Sequence, residues 1–292
     1  MNKDLPPLRL LAPALLGALL LARPAHAQDA PAAGPPEALA DTDNTRVTVA
    51  LGPFNAPDYD GADTNDWLPG AAVIGRVDGY DFFTRGPQLY VDLIRDAPGP
   101  GTNFELGAIG AFRRERVGGI DNAQVRALGE IDTAYEAGAF AGVSRTGVIT
   151  SDFDTLTARV AVIQDFGSAH KSYVVTPQLN YTTPLSLSTL VSVGVAADYV
   201  GKGYGRTYYS VTPAGSLASG LRAYDASESG WRQLNFSLFG VQSLSGDLRR
   251  GFGVGGGVLY GRLLGRYKDS PLVRDVGDKH QWSFAAGVTY TF

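Results

Sequence analysis

The chain closes on WSFAAGVTYTF, residues 282–292, and this stretch decides the fold. Trp282, Phe284, Ala286, Val288, Tyr290 and Phe292 fall on one face of an extended strand. Ser283, Ala285, Gly287, Thr289 and Thr291 fall on the other. Such alternation marks a strand with one apolar and one polar face, because successive side chains point to opposite sides. The face opposite the aromatics is small or polar and would fill a soluble core poorly. The aromatic face therefore suits lipid, with the small polar face turned inward.

The same texture runs back through the chain. Leu187, Val191, Val193, Val195 and Tyr199 oppose Ser188, Ser192, Gly194 and Asp198, with Leu190 the exception. Tyr173, Val175, Leu179 and Tyr181 oppose Thr176, Gln178, Asn180 and Thr182, and Phe104, Leu106, Ala108 and Phe112 oppose Glu105, Gly107 and Arg113. Further strands are expected near 45–54, 70–78, 83–95, 131–145, 152–165, 230–243 and 246–264. That makes eleven, and a single-chain bacterial outer-membrane barrel has an even number. The expectation is an all-β, transmembrane antiparallel β-barrel of about 12 strands, within roughly 10–14, with the missing strand sought in 203–217.

Aromatics on the apolar face recur eight residues apart, as in Phe104 with Phe112, Tyr173 with Tyr181, Phe252 with Tyr260, and Trp282 with Tyr290. Eight residues cover about 26 Å of strand, or roughly 20 Å of height once tilted, close to the apolar band between two aromatic girdles. The connections at 55–69, 114–130, 200–229 and 265–279 are long, although eleven strands do not place them all on one rim.

Composition agrees with this reading and removes alternatives. Charged residues are 18% of the 292, glycine supplies 37, and the net charge of −4 argues against a nucleic-acid partner. Zero cysteines exclude disulfides, cysteine-ligated zinc, iron–sulfur clusters and thiol catalysis. The first 27 residues read as a signal peptide: Lys3 and Arg9, the apolar run LRLLAPALLGALLLA, then Ala25-His26-Ala27 before a cleavage point. Residues 28–44, rich in Ala, Pro and acid, read as a flexible lead-in, and 45–292 as the barrel.

Few residues promise chemistry. The acidic stretch at 58–66 lacks the terminal glutamate of a calcium loop. Gly251 to Gly256 fits a G-x-G-x-x-G pattern, but a strand-like run follows where a helix would be needed. His170 and His280 lie near no nucleophile pattern. No enzymatic activity and no catalytic, cofactor or metal residue is expected. Arg113, Arg159, Glu105 and Asp198 point inward, where they either line an aqueous lumen or pair with one another and plug it.

With these residues in hand, the chain resembles the MipA/OmpV family of Gram-negative outer-membrane proteins. The resemblance runs from about Val47 to Phe292, beginning at Pro57-Asp58-Tyr59-Asp60-Gly61 with Pro69 beyond. It continues through Asp165 to Lys171, Tyr208-Tyr209-Ser210-Val211, Ser219-Gly220-Leu221 and Tyr224. Its most specific part is Asp269-Ser270-Pro271-Leu272-Val273, followed by Thr289-Tyr290-Thr291-Phe292. Ser172 and Ser210 stand where the family pattern has glycine. The resemblance implies location in the outer membrane, among its lipids. It also implies a scaffold linking a lytic transglycosylase to a penicillin-binding protein in peptidoglycan synthesis and turnover, with porin-like channels or adhesins among other members. Asp269, Ser270 and Pro271 become candidate loop contacts.

Trp282, Tyr290 and Phe292 are the candidate assembly signal read by the barrel-assembly machinery. Phe292→Ser should therefore lower the amount of heat-modifiable barrel in the outer membrane, measured by gel mobility with and without boiling. Unchanged levels would remove that role from the terminal residue.

Overall fold

The computed structural model describes residues 45–97 and 99–292. The expected signal peptide at 1–27 and lead-in at 28–44 lie outside the described residues. The described residues form twelve strands: β1 (Thr45–Pro57), β2 (Asn65–Val77), β3 (Tyr80–Arg85), β4 (Gln88–Asp92), β5 (Gly101–Arg113) and β6 (Ala134–Thr146), then β7 (Thr155–Asp165), β8 (Tyr173–Pro184), β9 (Thr189–Val200), β10 (Gly230–Ser243), β11 (Gly251–Leu263) and β12 (His280–Thr291). Each pairs antiparallel with its neighbours in sequence, and β1 pairs with β12 to close the barrel. Closure satisfies both edges of the sheet, which a hydrocarbon surround requires because no water is present to do so.

The terminal strand behaves as its pattern demands. Trp282, Phe284, Val288, Tyr290 and Phe292 are exposed on the outer wall, while Gln281, Ser283, Thr289 and Thr291 are buried inside. The aromatic spacing resolves into two belts. Phe112, Tyr135, Tyr173, Tyr199, Trp231, Tyr260 and Trp282 lie toward one rim, and Phe104, Tyr181, Phe252, Tyr290 and Phe292 toward the other. Neighbouring strands place belt residues side by side, as with Tyr260 opposite Trp282 and Phe252 opposite Tyr290.

The twelfth strand is not where the sequence suggested. The stretch 83–95 splits at Gly86-Pro87 into β3 and β4, with Gly86 at φ 54°, a left-handed value that glycine adopts without strain. The region 203–217 is helical instead, giving α2 (Lys202–Tyr208) and α3 (Pro213–Ser219), after a short α1 (Ala123–Arg126). Its tyrosines and threonine suggest strand, but the end signals of α3 prevail. The Thr212 side chain accepts from the Gly215 N–H, Pro213 sits in the first turn, and Gly220 caps the end at φ 74°. Two further turns, α4 (Gly265–Lys268) and α5 (Pro271–Arg274), precede β12.

The split has a global consequence. With β3 and β4 counted separately, the three longest connections, 114–133, 201–229 and 264–279, all fall on one rim, together with the loop 58–64. Connections of at most eight residues, at 78–79, 93–100, 147–154, 185–188 and 244–250, occupy the other, with Thr45 and Phe292.

Inside the wall, large rings sit over glycines on the neighbouring strand. Phe140 lies against Gly107, its register partner, and Phe239 against Gly257. A Cβ at either glycine would overlap the ring. Gly107→Val should cost about 1–3 kcal/mol through overpacking and lower the unfolding temperature of the barrel. Gly110→Val on the same strand meets open space and should not. Equal effects of the two substitutions would remove the packing explanation.

Candidate functional site: a sealed mouth above an open vestibule

The long-loop rim carries its own hydrophobic core. Tyr59, Ala62, Ile120, Val125, Val211, Leu221 and Leu272 are buried together, drawn from four separate connections. Hydrogen bonds tie these connections across the mouth. Tyr59 donates through its hydroxyl to the carbonyls of Leu272 and Val276, at 3.1 and 3.0 Å. Ser270 Oγ donates to the Tyr209 carbonyl at 2.6 Å. Asp58 Oδ2 accepts from the Asp121 N–H at 2.9 Å. A second cluster runs from Tyr204, Tyr208, Tyr209, Tyr267 and Val273 of this lid down to Phe83, Tyr90, Ile109, Phe140 and Ile163 of the wall. The lid is therefore continuous with the barrel interior.

Charges bolt the lid to the wall. Arg232 of β10 bonds both Asp60 of the 58–64 loop and Asp198 of β9, the latter at 2.7 Å. Asp60 also accepts from the Tyr209 hydroxyl at 2.6 Å, and Asp198 from Thr176 Oγ1 and Asn235 Nδ2. Arg113 grips Glu136 through two bonds of 3.2 Å, and His170 Nε2 lies 2.9 Å from the same carboxylate. Arg232, Arg113, Glu136 and His170 are all buried. Removing one partner from such a pair leaves a bare buried charge, at a cost of about 3–5 kcal/mol, so the network resists piecemeal opening. Glu115 of the lid accepts from the Asp60 N–H at 3.1 Å. Burial, reinforced by the Asp60 carboxylate, pushes its carboxyl up to about 7.

The opposite end of the lumen is different. A hollow open to solvent is lined by Arg76, Asp81, Asp92, Asp96, Glu105 and Arg159 among its polar residues. Arg76 bonds Asp81 twice at 2.6 Å and reaches Asp96 at 3.1 Å. Arg159 Nε donates to Glu105 at 2.7 Å, while its guanidinium lies 4.7 Å from the Phe83 ring centre and 5.1 Å from that of Phe140. These rings form the upper wall of the vestibule. Burial first, and then the adjacent Asp81 carboxylate, push the Asp96 carboxyl up to about 7.

The four inward charges read from the sequence thus all face the lumen, and all are paired. Of the two readings, plugging pairs describe Arg113 and Asp198, whereas Arg159 and Glu105 border open space. Asp269 lies exposed on the long-loop rim, but Ser270 and Pro271 are buried, holding the lid together. Trp282, Tyr290 and Phe292 stand on the outer wall. Of the two histidines among the described residues, His170 is in the mouth network and His280 Nδ1 lies 2.6 Å from the Tyr260 hydroxyl. Arg232 escaped sequence reading because a bulge between Trp231 and Gln233 breaks the alternation that would have turned it outward. Arg76 and Asp96 escaped it because neither lies in a clearly alternating strand.

No curated protein matches the chain significantly. Solved structures of similar outline include the COG4313 outer membrane channel from Pseudomonas putida F1, at 10% identity, with 88% of this chain and 98% of that chain covered and a TM-score of 0.42. The outer membrane channel DcaP of Acinetobacter baumannii follows at 9% identity, 85% and 96% coverage and a TM-score of 0.36. Likeness at this level carries no functional argument. The family described as MltA-interacting protein MipA matches residues 49–292, nearly the whole barrel. The chain, an outer-membrane β-barrel, belongs to the MipA family.

Proposed function

We propose that this barrel is a scaffold for peptidoglycan enzymes on the inner face of the outer membrane, and not a through-channel. The observation that carries the reading is the sealed mouth. Four connections share a buried core, and the first of them is pinned to the wall through Asp60 and Arg232, which closes the lumen at that rim. In outer-membrane barrels long loops face outward and short turns face the periplasm, which puts the lid outside and the vestibule inside. The family's namesake is described as interacting with MltA, and a lytic transglycosylase is accordingly the first partner proposed, with a penicillin-binding protein as the second.

The periplasmic rim offers a surface for such a partner. Ile149 and Phe153, then Leu185 and Leu187, then Leu244 are exposed on three successive short turns. The last two turns are tied by hydrogen bonds from the Leu248 N–H to the Leu187 carbonyl and from the Ser243 N–H to the Ser188 carbonyl. Exposed apolar side chains on a rigid rim are what an interface uses. Asp269, Ser270 and Pro271 lie on the outer rim, where only Asp269 remains open for contact with the outside.

In-cell crosslinking from photoreactive residues at Ile149, Leu187 and Leu244, with Asp269 and Lys171 as outer positions, tests the proposal. Capture of a lytic transglycosylase or a murein synthase from the inner positions alone is the expected result. Absence of both enzymes from the inner positions would overturn it, as would their recovery from the outer ones.

A further inference from the structure

We propose that Lys171, Lys202 and Arg206, at the outer end of β8 and β9, form a binding site for the phosphates of an anionic glycolipid of the outer leaflet. The inference shares with the scaffold reading only the outward orientation of the lid. Its first basis is a group of cations without acids. All three residues are exposed, and among the described residues none of their side chains forms an ion pair or hydrogen bond. Arg266 and Arg274 of the same rim are instead bonded to Glu228 and Asp275. Asp165, the acid nearest to Lys171 in sequence, is buried and accepts from the N–H groups of Gly167, His170 and Lys171. Lys202 and Arg206 lie one turn apart on the exposed face of α2, whose other face buries Gly203, Tyr204, Gly205 and Tyr208. Like charges at that spacing oppose the helix, and a bound anion removes the opposition.

The fold brings Lys171 to the helix. Asp165 clamps the turn that follows β7 and holds Lys171 at φ 49°. The Gly201 N–H donates to the Tyr173 carbonyl at 3.0 Å, and Thr207 Oγ1 donates to the Ala169 carbonyl at 3.4 Å, so this turn and α2 lie side by side. Gly203 permits the approach, because a Cβ there would overlap the His170 carbonyl.

The second basis is the level of the cluster in the membrane. Tyr173, Tyr199 and Trp231 stand in the aromatic belt on β8, β9 and β10, with Tyr199 packed edge-on against Trp231, and Phe166 is exposed just past the end of β7. Lys171 lies two residues beyond Tyr173, about 7 Å along the strand direction and roughly 5 Å higher once tilted. That height is the headgroup layer, where lipid phosphates sit above their acyl chains. The cations therefore face phosphate while the rings beneath them face hydrocarbon. The guanidinium of Arg206 offers a fork of donors matched to phosphate oxygens, and the two lysines add point charges. A sugar phosphate brings negative charge alone, whereas a zwitterionic headgroup would bring an ammonium group against three cations.

Titration of the detergent-solubilised full barrel with bisphosphorylated lipid A, followed by native mass spectrometry, tests this. Saturable retention of lipid A is expected, weakening as salt is raised. Combining Lys171→Gln, Lys202→Gln and Arg206→Gln should weaken binding by about tenfold or more. The variant should keep its heat-modifiable mobility, because these side chains have no partners to lose. Lys268→Gln with Lys279→Gln removes two exposed cations elsewhere on the rim and should leave the affinity unchanged. Wild-type affinity in the folded triple variant would overturn the proposal, as would equal weakening in the Lys268 and Lys279 variant. Where the triple variant gives no heat-modifiable barrel, Lys202→Glu alone should weaken binding, and unchanged affinity there would overturn it too. Equal binding of dephosphorylated lipid A would remove the phosphates from recognition, and inorganic phosphate binding as tightly would make this a site for a free ion and not a lipid; either result overturns the proposal.

Discussion

Everything in this molecule depends on the hydrogen-bonded seam between β1 and β12. Val49 faces Tyr290 and Thr48 faces Thr291 along it, and the Phe292 N–H reaches the Val47 carbonyl at 2.9 Å. A sheet in hydrocarbon has no water to satisfy an open edge, so closure is a condition of existence for the fold. Closure also forces the two faces apart in chemistry. Side chains on the outer face must dissolve in lipid, while those inside need only fit and bond to one another. The chain meets the first demand with Leu, Val and aromatics, and the second with Gly, Ser, Thr and paired charges.

Closure with an even strand count also sorts the connections by side. Once the short β3–β4 hairpin is counted, the three longest connections fall on one rim, where they pack together with the loop 58–64. They do so as a small hydrophobic domain laid over a barrel end, held by ions that are dry because the lid covers them. Arg232 illustrates the dependence. Its guanidinium stays buried only because Asp60 comes down from the lid and Asp198 across from the neighbouring strand. The short-turn rim lacks the material for a second lid, which leaves the vestibule open there.

Much of the barrel was legible in the sequence because a lipid-facing strand must alternate, and alternation is a local property. The faces of β5, β8, β9 and β12 could be read residue by residue. What escaped was short or irregular. The hairpin at Gly86-Pro87 joins strands too brief to show a period, and the Tyr-rich stretch at 203–217 has strand-like composition with helical end signals at Thr212, Pro213 and Gly220. The seal was legible only in part. Arg113 and Asp198 could be placed inside, but their partners Glu136 and Arg232 come from other strands, and the choice between pairing and lining depends on register. The DSPLV stretch stood out through the family resemblance as a candidate loop contact, whereas Ser270 and Pro271 belong to the packed interior of the lid. No local pattern distinguishes a buried turn from an exposed one.

The central claim is that the lumen is blocked at the outer rim. Single-channel recording of the purified barrel in a planar lipid bilayer tests it most directly. The seal predicts no stable conductance from the intact protein at neutral pH. A steady ohmic conductance, altered when Arg113 or Arg159 is neutralised, would contradict it and make the barrel a channel.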